Sequence, residues 1–457
     1  MSRRVVIIGA GITGLTAAYS IKTQRPEIDV TVLEASPMVG GNIRTSPFAG
    51  LPAVDEGPDA FLVRIPYALQ LVRELGFTEN DLTAPATGSA YVWHKKLHSI
   101  PTGLMLGVPG ELMPIAKSGL ISPLGKIRAG LEPFLPKTDA GDSIGKLIRQ
   151  RFGNDVHNYL VDPLIGSIYA SDTDNISIDS VPQLAALANG NRSLLLAVRK
   201  QKKAATATTA GSIFATPRQG IGAVVDALLA RNSELGVKTF TNAAVKMIEP
   251  GYQVHCAEHT YEADSVIVAS PAAASAPMLA AVAPRVSVSL GDWDHIGVTI
   301  ATLRVLGSEF PRDLTGSGYL VPKRDQNKVT AVSFASNKWA HWQPDDGSRI
   351  LRVSLGQDGN PADGLDDAEV MSAVLTDLQR HLGVSFSPIE SRISRWNNAF
   401  PQYRPGHFAR VEKIERELES VAPGVFVAGA SHRGIGIPAC VQQARAVADK
   451  VVAFGGR

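Results

Sequence analysis

The first thirty-four residues constrain the fold most. Val5-Val6-Ile7-Ile8 is a run of β-favouring apolar residues without polar alternation, as in a strand buried on both faces of a parallel sheet. Gly9, Gly11 and Gly14 follow at G-x-G-x-x-G spacing. The first glycine of that motif permits a tight turn, and the second lets the backbone approach a pyrophosphate. The third lets the next helix lie close on the strand, with phosphate at the helix N-terminus. Leu15 to Ile21 reads as that helix, and Asp29 to Leu33 as a second strand. Glu34 ends it, twenty residues beyond Gly14, where a carboxylate accepts hydrogen bonds from a ribose diol and disfavours a 2′-phosphate. An ordinary glycine loop would reproduce this order of strand, turn, helix, strand and acid only by coincidence. The order predicts a Rossmann-like dinucleotide-binding fold.

Met38-Val39-Gly40-Gly41-Asn42-Ile43-Arg44 and Asp55-Glu56-Gly57-Pro58-Asp59 come next. A domain for NAD alone has no use for a second glycine pair and an arginine just past the ribose acid. A larger dinucleotide lying extended across the domain does, which predicts FAD. The alternative for Arg44 is a plain surface ion pair.

A length of 457 residues allows about three structural units. With 44% hydrophobic and 19% charged residues the composition is that of an ordinary globular protein, and a net charge of +2 makes no case for nucleic acid as a partner. Cys256 and Cys440 stand far apart with no C-x-x-C, so neither a disulfide framework nor a zinc site is indicated, and a reducing cytoplasm is expected. Arg3-Arg4 and the uncharged run after it resemble a signal peptide only superficially, because cleavage would remove the nucleotide-binding strand. Ser265 to Pro284 is uncharged and long enough to span a bilayer, but Pro271, Pro277 and Pro284 divide it. It reads as a strand, a turn and a short helix, and no integral membrane segment is expected.

Along the chain, Ile65 to Leu75 reads as a helix and Tyr91 to His98 as a hairpin. Helical segments cut by Pro and Gly fill Leu104 to Arg199, without Rossmann periodicity. Arg199-Lys200-Gln201-Lys202-Lys203 and the Ala/Thr tract after it read as a solvated loop, with membrane-surface or substrate-gate contact as the sharper alternative. After a helix opening at Thr216 to Gly222, strands are expected at Val237 to Phe240, Ala244 to Ile248, Tyr252 to Ala257 and Asp264 to Ala269, with Val245 beside the adenine end of the dinucleotide. Residues 296–390 alternate strands with polar turns and carry a helix at Ala368 to Leu382, which suggests an antiparallel sheet walling a pocket. Val425 to Ser431 is a further buried strand. The turn Arg433 to Pro438 and the helix Ala439 to Val452 can aim backbone N–H groups at the cofactor. His94/His98 and His255/Cys256/His259 have spacings that strands would not focus on a metal, and no metal site is expected.

The expected fold class is therefore α/β, with a discontinuous Rossmann-like FAD-binding domain (1–90, 216–295 and 391–457). A helical insert at 91–215 and a mixed α+β substrate-binding sheet domain at 296–390 complete it.

With these motifs in view, the chain resembles the protoporphyrinogen and coproporphyrinogen oxidases of haem biosynthesis. The resemblance is carried by the glycine motif with Glu34, Gly40 to Arg44, Glu56 to Asp59, Ile100-Pro101-Thr102-Gly103, and Ile168 to Asp172 with Ile176-Ser177. Arg395 to Tyr403 with Gly406-His407, and Gly429 to Ser431 with Gly434 to Pro438, complete it over nearly the whole length. The early motifs are shared with amine oxidases and carotene desaturases, and the last two are far more specific. The resemblance implies an amine-oxidase-like architecture and FAD contacts at Gly9, Gly11, Gly14, Glu34, Ala35, Asn42, Gly57, Pro58, Asp59, Ala60, Val245, Trp396, Ile435, Gly436 and Ile437. Taken alone, Trp396 would be a core tryptophan. Arg44 and Arg64 are candidates for the substrate carboxylates, the alternative for either being to help hold the flavin or the fold, and no side chain is singled out as a catalytic base.

The implied activity is six-electron oxidation of a porphyrinogen, with dioxygen as acceptor and hydrogen peroxide released. Met105-Leu106-Gly107 follows Leu104 where the animal-type branch carries an arginine. With no presequence or anchor read at the N-terminus, this favours coproporphyrinogen III over protoporphyrinogen IX. The expected partners are the porphyrinogen, dioxygen and, transiently, the next enzyme of the haem pathway, with peripheral membrane contact as a further expectation. A flavin amine oxidase and a non-redox binding protein on the same fold are the alternatives.

Overall fold

Along the first strand, β1 (Arg4–Ile8), Val5 and Ile7 face one apolar cluster while Val6 and Ile8 face another. An interior parallel strand meets this two-sided burial through its period of two. The computed structural model describes residues 2–137, 141–206 and 212–455. In it β1 lies at the centre of a five-stranded sheet. The order is Lys238–Phe240, β2 (Asp29–Leu33), β1, Ser265–Val268 and Val425–Val427, and every pairing is parallel. The sheet thus draws strands from both ends and the middle of the sequence.

On one face lie α1 (Ile12–Gln24) and the helices Gly222–Glu234 and Ile437–Ala453. On the other lie a small antiparallel sheet and the helices Ala272–Met278, Pro284–Gly291 and His407–Val421. The C-terminal helix begins at Ile437, two residues earlier than its sequence pattern suggests. Pro438 fits its first turn, where the amide proline lacks has no intrahelical partner anyway. The uncharged run 265–284 forms a strand, a turn and a short helix, and no helix among the described residues is long and apolar enough to cross a membrane.

A seven-stranded sheet forms the second body. Its order is Glu390–Pro401, His295–Val305, Arg349–Leu355, Val329–Phe334, Gly318–Leu320, Tyr91–His94 and Lys96–Ser99. All pairings are antiparallel except that of Gly318–Leu320 with Tyr91–His94. Helix Asp367–Leu382 packs on it through Val370, Val374 and Leu378. A capping box of Asp366 and Glu369 starts this helix, and Gly383 at φ 70° ends it. The sheet runs past both ends of 296–390: residues 91–99 and 391–401, expected in the helical insert and in the nucleotide-binding domain, form its outer strands. Strand pairing rather than sequence adjacency sets its extent.

Helices from Leu112–Lys117 to Leu194–Thr206 enclose a third core. Within it, buried Glu132 is paired to Arg151 (Nε to Oε1 2.9 Å) and accepts from the amides of Leu194 (2.9 Å) and Leu195 (3.3 Å). A carboxylate at a helix N-terminus meets otherwise unpaired donors there. The basic tract Arg199 to Lys203 continues that helix and is not a loop, because the apolar register Leu194, Leu195, Val198 carries the helix through it. Residues 207–211 of the following Ala/Thr tract lie outside the described residues. The strand expected at Ala244 to Ile248 is confined to Met247–Glu249, since pairing with Gln253–His255 begins only at Met247.

Candidate functional site

Gly9 turns the chain out of β1 at φ 103°, and its amide donates to the Leu33 carbonyl at 2.7 Å. A Cβ at Gly14 would lie 1.9 Å from the Gly9 carbonyl oxygen, so only glycine lets α1 lie this close to the strand. A Cβ at Gly11 would meet nothing within 4 Å. The space in front of Gly11 is open at the N-terminus of α1, where no side chain caps the helix and the first turn carries no acid. The Thr13 and Gly14 amides have no hydrogen-bond partner among the described residues. An uncapped helix end with an open glycine approach suits a phosphate.

Glu34 sits at the end of β2. Its Oε2 accepts from the Ala10 amide at 2.8 Å and its Oε1 from the Ser36 amide at 2.9 Å. The carboxylate is therefore fixed beside the phosphate turn, with lone pairs left for a diol. The Ala243 amide donates to the Glu34 carbonyl at 2.8 Å, which brings the 241–246 segment alongside. Val245 is buried, and its backbone N–H and carbonyl are unpaired among the described residues. An edge that reads a flat heterocycle through the backbone needs such a pair of free groups.

Further along the cradle, Gly40 (φ 105°) and Gly41 (φ 58°) fold back on the first turn, with the Gly40 amide 2.8 Å from the Ala10 carbonyl. Gly57 is wedged: a Cβ there would lie 2.5 Å from the Asn42 carbonyl and 3.2 Å from the Trp396 ring. The Trp396 indole donates to the Glu56 carbonyl at 3.2 Å, and the Arg44 guanidinium lies 5.5 Å from the Trp396 ring centroid. Asn42, Arg44, Gly57 and Trp396 therefore meet, although they come from two bodies. Pro58 and Ala35 are exposed, and Ala60 is half-buried. Asp59 turns away, with its carboxylate bonded to Lys338 (2.8 Å) and to the Trp339 indole (3.0 Å) and paired with Arg352 (3.3 Å). Burial alone would raise its pKa, but the charges of Lys338 and Arg352 outweigh that and hold it well below the usual range. Burial does dominate at Asp55, whose carboxyl is pushed up to about 6.

The third side of the cradle is the loop from Gly429 to Gly436. Gly9 and Gly429 both face the Ala269 carbonyl, so the two glycine turns are neighbours. At the N-terminus of helix Ile437–Ala453, the amides of Ile435, Gly436 and Ile437 have no partner among the described residues. Ile435 also packs on the helical body's core, to which Leu104, Met105, Leu106 and Tyr169 contribute half-buried apolar surface. Arg64 is exposed and makes no ion pair among the described residues. The His94 and His98 pair and the His255/Cys256/His259 group are engaged locally: His94 bonds Asp325 at 2.8 Å, and His255 bonds Thr260 at 2.9 Å.

Lys338, Arg352, Tyr403 and Gln443 escaped the sequence reading as parts of this site, although Tyr403 belongs to one of the quoted motifs. Arg352 donates to the Gly57 carbonyl and Gln443 accepts from the Gly429 and Arg433 amides. Lys338 and Arg352 meet Asp59 and Gly57 from 279 and 295 positions away, and Tyr403 and Gln443 hold a nearby loop through backbone groups, which leaves no periodicity to read.

An open glycine approach, a fixed acid, free amides at two helix ends and an apolar wall fit an extended flavin dinucleotide. Comparison with known proteins agrees: the family described as flavin containing amine oxidoreductase matches residues 12–452. The chain is 33% identical to the coproporphyrinogen III oxidase of Bacillus subtilis, covering 99% of this chain and 98% of that one. It is 30% identical to that of Staphylococcus aureus, over 99% and 100% of the two chains. A solved structure titled as a candidate protoporphyrinogen oxidase from Exiguobacterium sp. superposes with a TM-score of 0.88 at 26% identity, covering 99% of each chain.

Proposed function

Because the chain belongs to the flavin-containing amine oxidoreductases, and within them to the coproporphyrinogen III oxidase family, we propose that it oxidises coproporphyrinogen III to coproporphyrin III in haem biosynthesis, with dioxygen as the final acceptor and hydrogen peroxide as co-product. FAD is its cofactor. When bound, the flavin supplies hydride acceptance from a bridging carbon of the macrocycle. Glu34, the Thr13 and Gly14 amides, Val245, and Ile435 to Ile437 would hold it. The observation that carries the reading is the position of Ile435, which joins the free-amide loop to the apolar face of the helical body. A broad apolar ring can thereby lie against the cofactor out of water.

Arg44 is the cation best placed for a carboxylate arm of the substrate. Its guanidinium is half exposed, and its one ion pair among the described residues, to Glu56, is long at 3.9 Å. Arg44→Ala is expected to raise KM for coproporphyrinogen III about tenfold while kcat changes little, as for loss of one charge-assisted contact made equally in ground and transition states. A lowered kcat at unchanged KM would contradict this role. Arg64, which is exposed, is the weaker candidate.

Side-by-side turnover of the four-carboxylate coproporphyrinogen III and the two-carboxylate protoporphyrinogen IX tests the substrate. At least a tenfold higher kcat/KM is expected for the former, and preference for the latter overturns the assignment.

The proposed setting is the cytoplasm, in keeping with two free cysteines. Membrane contact would run through the helical body, where Met113, Leu124, Ile127 and Phe134 are each more than 60% exposed near Lys117 and Lys126. Co-sedimentation with anionic vesicles is expected to fall several-fold in Phe134→Asp; equal sedimentation of the two proteins would dismiss this contact. Transfer of product to the next haem-pathway enzyme belongs to the same proposal.

A further inference from the structure

The loop from Gly429 to Gly436 has little to hold it from within. Gln443, on the helix that follows, takes the Gly429 and Arg433 amides at 3.3 and 3.2 Å. Besides the Arg433 pair with Glu415 at 2.7 Å and the Ala272 amide on the Ser431 hydroxyl at 3.0 Å, the loop is held by the segment that leaves the long strand Glu390–Pro401. The Tyr403 hydroxyl donates to the Ala430 carbonyl and accepts from the Gly434 amide at 2.8 Å, so one phenol bridges the two sides of the loop. His407 Nε2 lies 2.8 Å from the His432 carbonyl. The Tyr403 and His407 rings stack at 4.0 Å with an 18° interplanar angle, and both are at least 95% buried. The Tyr403 backbone carbonyl accepts from the Ser177 amide at 2.7 Å, which ties the same residue to the helical body.

We propose that Tyr403 and His407 are positioning residues for the flavin, a clamp that fixes the direction in which the Ile435, Gly436 and Ile437 amides point. The proposal rests on the reading that this body holds FAD. It concerns residues that touch the loop and not the cofactor. Burial keeps the Tyr403 phenol protonated far above neutral pH and pushes His407 down to about 4. Both therefore remain neutral donors at working pH, with the His407 proton on Nε2 assigned from the carbonyl it faces. Loss of the phenol would leave a half-buried carbonyl and a half-buried amide without this partner, and the loop would relax to satisfy them.

The test compares two buried phenols. Tyr319 is also nearly fully buried and bonds the His381 ring at 3.0 Å within the seven-stranded body, with no contact to the loop. Tyr403→Phe and Tyr319→Phe are expected to lower apoprotein stability to a similar degree. Only Tyr403→Phe should weaken FAD binding, by about tenfold, read from quenching of flavin fluorescence during titration of the apoprotein. A second pair removes dependence on that variant's folding: His407→Gln, which keeps a donor near Nε2, should retain wild-type affinity while His407→Phe loses it. Wild-type FAD affinity in Tyr403→Phe or in His407→Phe overturns the clamp alone. Failure of the wild-type chain to take up FAD overturns the underlying reading as well.

Discussion

Gly14→Ala is expected to unfold the nucleotide-binding body, whereas Gly11→Ala, three residues earlier, leaves it folded and stops it binding FAD. The two glycines face different obstacles. At Gly14 the added carbon would sit 1.9 Å from a carbonyl oxygen and 3.3 Å from Ile7 Cγ2, so α1 would have to lift off β1. Such overpacking against backbone cannot be relieved by a rotamer and should cost more than about 3 kcal/mol. At Gly11 the carbon meets no protein atom and instead fills the approach to the helix N-terminus. Thermal unfolding of the apoproteins and FAD titration separate the two outcomes. A stable, FAD-binding Gly14→Ala protein would show that the close helix–strand contact is not needed.

The second large effect falls on Glu34. Its carboxylate holds the Ala10 and Ser36 amides, so Glu34→Ala strips the cofactor's ribose partner and frees two donors that shape the phosphate turn. Hydrogen bonds to a charged group contribute about 1.5–3 kcal/mol each, so FAD affinity should fall about a hundredfold. Glu34→Gln should lie between, since one of its terminal groups becomes a donor facing a donor. An unchanged dissociation constant in Glu34→Ala would place the ribose elsewhere.

Much of this arrangement is legible in the sequence because its cues are local. The strand–turn–helix–strand unit at residues 4–34 and the glycine turn before the C-terminal helix each need only residues within one stretch, and the structure places the two turns side by side. The strand Glu390–Pro401 was harder to read. It carries Arg392, Ser394, Arg395, Asn397 and Asn398, a polar pattern that looks like a loop until its partners are known. Ser394 bonds Glu56 at 3.1 Å, and Arg392 bonds Ser46 at 2.6 Å and the Val54 carbonyl at 3.1 Å. The partners of Arg392 and Ser394 lie 338 to 346 positions away, which no periodicity can reveal, while Arg395 bonds the nearer Asp367 and Leu365. Arg352 likewise reaches the Gly57 carbonyl across 295 positions. Conversely, Lys200 to Lys203 look like a solvated loop by composition, yet an apolar register established upstream carries them into a helix.

In the proposed reaction a flavin held between the two chain ends takes electrons from a tetrapyrrole resting against the helical body. Anaerobic addition of coproporphyrinogen III to FAD-loaded protein tests it most directly, with flavin and porphyrin absorption followed together. The oxidised flavin band is expected to be lost as porphyrin appears, with three flavins reduced for each porphyrin formed. A flavin spectrum that stays unchanged while the porphyrinogen is supplied in excess would contradict it.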